Sequence, residues 1–171
     1  MLSCPKHAYS MNQQNVFQIF GHITVFFSTL DFVVTRCIIE LVSDSYKAVK
    51  QPLKDSTTLG VKLKLLDALG EQDVISSVVL QQIKLVLPEA FKVANERNRF
   101  MHDQWVFAPQ TLENGIINRM SLTDLKNWNT VPTAEVPYTY SDLEDLLRRI
   151  GALQHTFGEA VNTLQLLSVK H

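Results

Sequence analysis

Residues 12–42 read NQQNVFQIFGHITVFFSTLDFVVTRCIIELV, and their spacing decides the fold. Val16, Phe20, Ile23, Phe27, Leu30, Val34, Cys37 and Leu41 follow one another in alternating steps of four and three, the signature of one face of an α-helix. A second set, Phe17, Val25, Phe26, Phe32, Val33 and Ile39, extends the apolar surface almost all round the rod. Such a helix has to be covered on several sides, which places it at the centre of a bundle or in an oligomer interface. Because 16–30 contains no Asp, Glu, Lys or Arg, the stretch resembles a membrane span in composition. A spanning helix, however, wants roughly 20 predominantly apolar residues. Here Gln18, His22, Ser28 and Thr29 interrupt the run, and Asp31, Arg36 and Glu40 follow on the same helix. A core helix is therefore expected, and no membrane partner. Asp31 has two readings: a charge at the rim of the apolar face, or a buried partner for an arginine.

Working outward, 43–57 reads as a polar connection containing Pro52. A shorter helix follows near 58–69, with Leu59, Leu63, Leu66 and Leu69 on one side and Gly70 as its stop. Asp73 is a candidate N-cap for a helix carrying Val74, Val78, Val79, Ile83 and Val86. Pro88 is expected to kink or restart that helix, since proline has no N–H for the preceding turn. The continuation is expected to run to about Trp105. Beyond it, 106–112 and 116–122 flank Asn114-Gly115, a strong short-range signal for a β-hairpin. A Pro- and Asn-rich loop then leads to Ser141-Asp142-Leu143-Glu144, which has capping-box spacing. The last helix runs to about Leu167 on a stripe of Leu143, Leu147, Ile150, Leu153, Phe157, Val161 and Leu164. The expected fold class is all-α: one domain over 1–171, a bundle of four to five helices, with a small β-hairpin insertion at 106–140 before the last helix.

Composition agrees with a globular chain, 46% apolar and 19% charged over 171 residues. A formal charge of −1 argues against coating nucleic acid by bulk electrostatics, and leaves room for a local basic pocket. Cys4 and Cys37 form neither a metal-ligand spacing nor a disulfide framework, which suits a reducing cytoplasm. The opening residues, with Pro5, Lys6 and His7, do not read as a signal peptide.

The stretch that carries chemistry is 95–102, NERNRFMH. Within about one and a half helical turns it holds a permanent cation, Arg97, an amide, Asn98, and a titratable imidazole, His102. Asn98 and His102 are four apart and share a helix face. Arg97 lies about 140° round an ideal helix from His102, but its long side chain can swing toward the same place. The set suits phosphodiester chemistry. Imidazole takes or gives a proton near neutral pH, guanidinium grips two phosphate oxygens, and the amide orients either group. No metal ion or cofactor is needed for it. Chance would supply about 0.18 Arg–His pairs at one fixed spacing, and requiring Asn directly after the Arg lowers that to about 0.01.

Arg-Asn-x-x-x-His near a helix end, in a small all-α domain, resembles the HEPN superfamily (higher eukaryotes and prokaryotes nucleotide-binding). The likeness covers architecture over most of the chain, and specific residues only from about Ala94 to Trp105. It implies a metal-independent endoribonuclease built as a homodimer, with two motifs facing each other across a cleft. RNA would be cut by attack of a 2′-hydroxyl on the adjacent phosphate, leaving a 2′,3′-cyclic phosphate and a 5′-hydroxyl. By position, His102 would be the general acid/base, Arg97 the phosphate clamp and Asn98 the orienting group. Arg99 would support them, and Asp31, which follows Leu30 in the first helix, would hold Arg97. Such enzymes act as toxins or antiviral effectors, so an antitoxin or other regulatory protein is an implied partner. The sequence departs from one branch of the family, in which a Tyr two residues after the His is an adenylylation target; here that position is Gln104.

Plainer readings stand beside these. Arg97 and Arg99 would be solvated charges paired with Glu96 or Glu89, and His102 a polar residue at a helix C-terminus, where the helix dipole favours a cation. Arg149 and His155 form a looser match on the last helix, with Ile150 where the first has Asn98, and read as structural. His22 and His155 read as bundle residues rather than ligands, and Trp105 and Trp128 as packing residues. The rival function is a non-catalytic HEPN-like module that dimerises and binds RNA, a nucleotide or a partner protein.

Overall fold

The computed structural model describes residues 11–42, 53, 58–70, 77–120 and 136–168. Cys4, most of the connection containing Pro52, the Asp73 cap and Trp128 lie outside them. Among the described residues the chain is a mostly helical bundle with one small antiparallel sheet. In chain order the elements are α1 (Met11–Leu41), α2 (Leu59–Gly70), α3 (Ser77–His102), β1 (Gln104–Val106), α4 (Pro109–Glu113), β2 (Ile116–Met120), β3 (Val136–Thr139) and α5 (Tyr140–Ser168).

The helical seam read from α1 is its buried face. Val16, Ile23, Phe27, Leu30, Val34 and Cys37 are at most 5% exposed, and Phe20 and Leu41 pack at the margin of the core. Against this face lies the stripe of α5, where Leu143, Ile150, Leu153, Phe157, Val161 and Leu164 are buried together with Leu146 and Ala160. α3 closes a third side with Val79, Ile83, Leu87, Ala90, Val93, Ala94 and Phe100, and α2 adds Leu59, Leu63 and Leu66. The second apolar set of α1 is covered unevenly. Phe26, Val33 and Ile39 are half-buried, whereas Val25 and Phe32 remain 61% and 64% exposed. Over Gln14–Leu41, α1 is long and apolar enough to cross a membrane by length and composition; in the structure one face of that stretch is bundle core.

Three local expectations are corrected. α3 continues through Pro88 as one helix, so the proline does not restart it. Its proline is exposed, so the ring occupies an outer face while the buried side chains on either turn keep the helix docked. The helix ends at His102, earlier than Trp105, which instead belongs to β1. Asn114-Gly115 does not close a hairpin: it ends the short helix α4. Gly115 has φ +68°, its N–H donates to Leu112 O at 3.0 Å, and the Asn114 N–H donates to Thr111 O at 3.1 Å. A left-handed residue serves a helix C-terminus as well as a hairpin turn, and Pro109 at the first position of α4 had already set the preceding turn toward helix.

The sheet has β2 in the middle, antiparallel to both neighbours, with Trp105 opposite Arg119 and Ile117 opposite Tyr138. β3 leads directly into α5. The capping box there lies two residues before the expected one. Asp142 Oδ2 accepts from the Thr139 N–H and hydroxyl, both at 2.7 Å, and Thr139 Oγ1 accepts from the Asp142 N–H at 3.2 Å. These bonds hold the Asp142 carboxyl below the usual carboxylate range.

Candidate functional site

The last turns of α3 carry the candidate motif, and their inward residue is Phe100. It is buried against Phe20 of α1 and Trp105 of β1, with ring centroids 4.5 and 5.2 Å away. Trp105 Nε1 donates to Phe100 O at 2.9 Å, which turns the chain out of the helix and caps one of its terminal carbonyls. Phe107 and Tyr138 complete the aromatic cluster. The end of α3 is thus clamped from two sides, and the residues around Phe100 have fixed directions.

Those directions divide the motif. Arg97 and Met101, four apart, line an open cleft of about 450 Å³ between α3 and α1, together with Thr24, Phe27, Ser28 and Asp31 of α1 and Thr58 and Leu59 at the start of α2. Asn98, Arg99 and His102 are exposed and lie outside that lining. Arg97 Nη1 donates to Asn98 Oδ1 at 3.3 Å, the link between the two groups. In one copy of the chain the cation faces a cleft while the imidazole faces solvent from the helix end.

Asp31 lines the same cleft as Arg97, but it does not hold Arg97 as the resemblance implied. Its Oδ2 lies 2.5 Å from Lys62 Nζ of α2. Lys62 is 7% exposed, and a buried ammonium needs a carboxylate more than a half-exposed guanidinium does. The sequence reading missed Lys62; the signal was its place three residues after Leu59 and four before Leu66, on the apolar stripe of a short helix.

The carboxylates suggested as partners for Arg97 and Arg99 are also engaged elsewhere. Arg149 of α5 donates through Nε to Glu89 Oε1 at 2.6 Å and through Nη1 to both Glu96 oxygens at 3.0 Å. Partial burial works against the charge of Arg149, but the bonds and charges of Glu89 and Glu96 outweigh it and move its pKa up. The structural reading of Arg149 is therefore the one seen. His22 and His155 lie on bundle helices with their side chains outward, not in the core. Of the six arginines, Arg36, Arg119, Arg148 and Arg149 are each in an ion pair, while Arg97 and Arg99 have none among the described residues.

A second polar group lies directly beyond His102. Asp103 and Arg119 of β2 are both nearly buried, with Oδ2 and Nε 3.1 Å apart. Arg119 Nη1 donates to the Tyr138 hydroxyl at 3.2 Å, and its guanidinium carbon sits 4.8 Å from the Tyr138 ring centroid. The pair ties the motif end of α3 to the sheet. Neither residue was singled out in the sequence, because partners 16 positions apart leave no periodic trace. Among the described residues no group of three or more His, Cys, Asp or Glu side chains could hold a metal ion. Cys37 is buried, and burial followed by the nearby Glu40 charge pushes its thiol up to about 12. Set against protein-family models, curated proteins and solved structures, the chain finds no match in any of the three.

Proposed function

We propose that the chain is a metal-independent endoribonuclease of HEPN type, acting in the cytoplasm as a toxin or defence effector. One observation carries the reading. Arg97 lies in an open cleft with no carboxylate on it among the described residues, while the four arginines outside the motif are each neutralised. A guanidinium in that state is suited to a phosphate. Asp31, the acid of the same cleft, is balanced by Lys62, so the lining keeps the positive charge of Arg97. In the reaction, the 2′-oxygen of a ribose bonds to the adjacent phosphorus and the bond to the 5′-oxygen breaks. One imidazole accepts the 2′-hydroxyl proton, and the leaving oxygen takes up a proton. His102 does the proton transfer, Arg97 holds the phosphate as charge develops, and Asn98, in contact with Arg97, keeps it aimed. A homodimer supplies the second motif, and the exposed Val25 and Phe32 of α1 are apolar area that a second copy would cover.

The division of the motif favours a second reading. Arg97 lines the cleft and His102 does not, so a single copy has a phosphate-binding residue without the acid/base beside it in that cleft. A non-catalytic module that binds RNA, a nucleotide or a partner protein needs no more than this. The test is incubation of purified protein, beside His102→Ala, with structured RNA in chelator, followed by analysis of fragment ends. Cleavage that leaves cyclic phosphate ends and disappears in the variant supports the ribonuclease. Intact RNA from a folded dimer supports the binding module.

A further inference from the structure

The cleft between α1 and α3 has a donor–acceptor asymmetry that RNA cleavage does not require. On the α1 wall, Thr24 Oγ1 donates to Phe20 O at 2.9 Å and Ser28 Oγ donates to Thr24 O at 3.1 Å. Their hydrogens are used inside the helix, so what they offer a ligand is lone pairs. Asp31 adds a carboxylate to the same wall, an acceptor at both oxygens. Its Oδ2 touches Lys62 Nζ while the side chain keeps 40% of its exposure. Lys62 thereby fixes the carboxylate and balances its charge, and leaves further lone pairs open. The α3 wall is the opposite: Arg97 is donor-only, and beside it Met101 offers a polarisable apolar contact for a flat ring. A ligand fitting both walls carries neighbouring N–H donors on a flat body and an anionic group.

We infer that this cleft is a subsite for a guanine nucleotide, with the N1–H and N2 amino group of the base on Asp31 and the phosphate on Arg97. Guanine is the RNA base whose pairing edge presents two adjacent N–H donors, the complement of a carboxylate's two oxygens. Adenine and cytosine place a ring acceptor beside the amino group, and uracil sets its one N–H between two carbonyls. A volume of about 450 Å³ falls in the range of roughly 300–1,000 Å³ usual for small-ligand sites. The assignment rests on the proposed ribonuclease only in making the bound guanosine the residue next to the cleaved phosphate; binding of the nucleotide itself does not depend on cleavage.

The test is titration calorimetry of the full chain with GMP, IMP, AMP, CMP and UMP. GMP is expected to bind about 10- to 100-fold more tightly than IMP, which lacks only the N2 amino group, and AMP, CMP and UMP no better than IMP. Asp31→Asn should bring GMP down to the level of AMP. That variant also strips Lys62 of its partner, so the GMP–IMP comparison on the unaltered protein stands independently of its folding. His102→Ala should keep the preference, because His102 lies outside the cleft. Equal affinity for GMP and IMP overturns the inference, as does undiminished GMP binding by folded Asp31→Asn. GMP preference without RNA cleavage sustains the subsite and removes the ribonuclease; cleavage without any GMP–IMP difference does the reverse. If the natural occupant is a guanosine within RNA, inosine at the cut site slows cleavage; if it is a free nucleotide, GMP changes the rate and inosine does not.

Discussion

Arg97 on α3 and Arg149 on α5 each precede a histidine by five or six residues, yet the fold treats them in opposite ways. Arg149 faces a neighbouring helix that brings Glu89 and Glu96 onto its guanidinium. Arg97 faces a cleft whose acid among the described residues, Asp31, is already held by Lys62. The two arginines have the same chemistry; their difference lies in whether a carboxylate from another helix can reach them. The arginine left without one among the described residues is the one available to a ligand.

The most direct way to break this comparison is to exchange the two losses. Arg97→Ala should lower RNA cleavage by on the order of 100- to 1,000-fold and leave the melting temperature almost unchanged. Arg149→Met should do the opposite, costing about 1–2 kcal/mol of stability once solvent screening of its partly exposed partners is allowed for. Its cleavage per folded molecule should stay intact. Thermal melts and cleavage rates on both variants decide it, and a loss of activity in Arg149→Met alone would invert the assignment.

Arg119 sharpens the contrast within stability. Its pair with Asp103 is more deeply buried than the Arg149 network, so Arg119→Met should destabilise by about 3 kcal/mol, measured by urea unfolding. A smaller effect follows at the entry to α5. Thr139→Ala removes the reciprocal cap and should cost about 1 kcal/mol. The same cap makes stability depend on acid: the folded pKa of Asp142 is lowered, so its contribution is present above the unfolded carboxylate value and is lost as pH falls through the folded one. In Thr139→Ala this part of the acid sensitivity should shrink. Smallest in free energy at neutral pH is Cys37. Its thiol is raised from 9.0 to about 12, so its contribution is whole below about pH 9 and declines above it as the unfolded chain ionises. At pH 8 it should react with an aromatic disulfide only when the protein is unfolded, and rapid labelling of the native chain would contradict the burial.

The sequence made the long-range order of α1 and α5 legible because a repeating step of three and four is a local record of which side is covered. Val16 through Leu41 and Leu143 through Leu164 are both read correctly from that record. Single positions were less legible. Asn114-Gly115 supports a left-handed residue in either of two settings, and the choice between them came from Pro109 upstream. The cap of α5 moved from Ser141 to Thr139 because Thr139-Tyr140-Ser141-Asp142 offers a second set of the same spacing. The site was legible as a composition, Arg97, Asn98 and His102 on one helix end, but its division between cleft and solvent was not. That division depends on Phe100 being drawn into an aromatic cluster with residues from α1 and β1. The partnerships of Asp31 with Lys62 and of Arg149 with Glu89 and Glu96 join residues 31, 60 and 53 positions apart, and no spacing rule records them.

The buried pair of Asp103 and Arg119 also bears on where this protein can be divided. Residues 106–140 look like a graft between two helices, the kind of segment an engineer would trim to obtain a minimal bundle. Removing them would leave the Asp103 carboxylate without its cation and would take Tyr138 from the cluster that packs Trp105. A shortened bundle that joins Trp105 directly to Ser141 should therefore fail to hold the motif end in place.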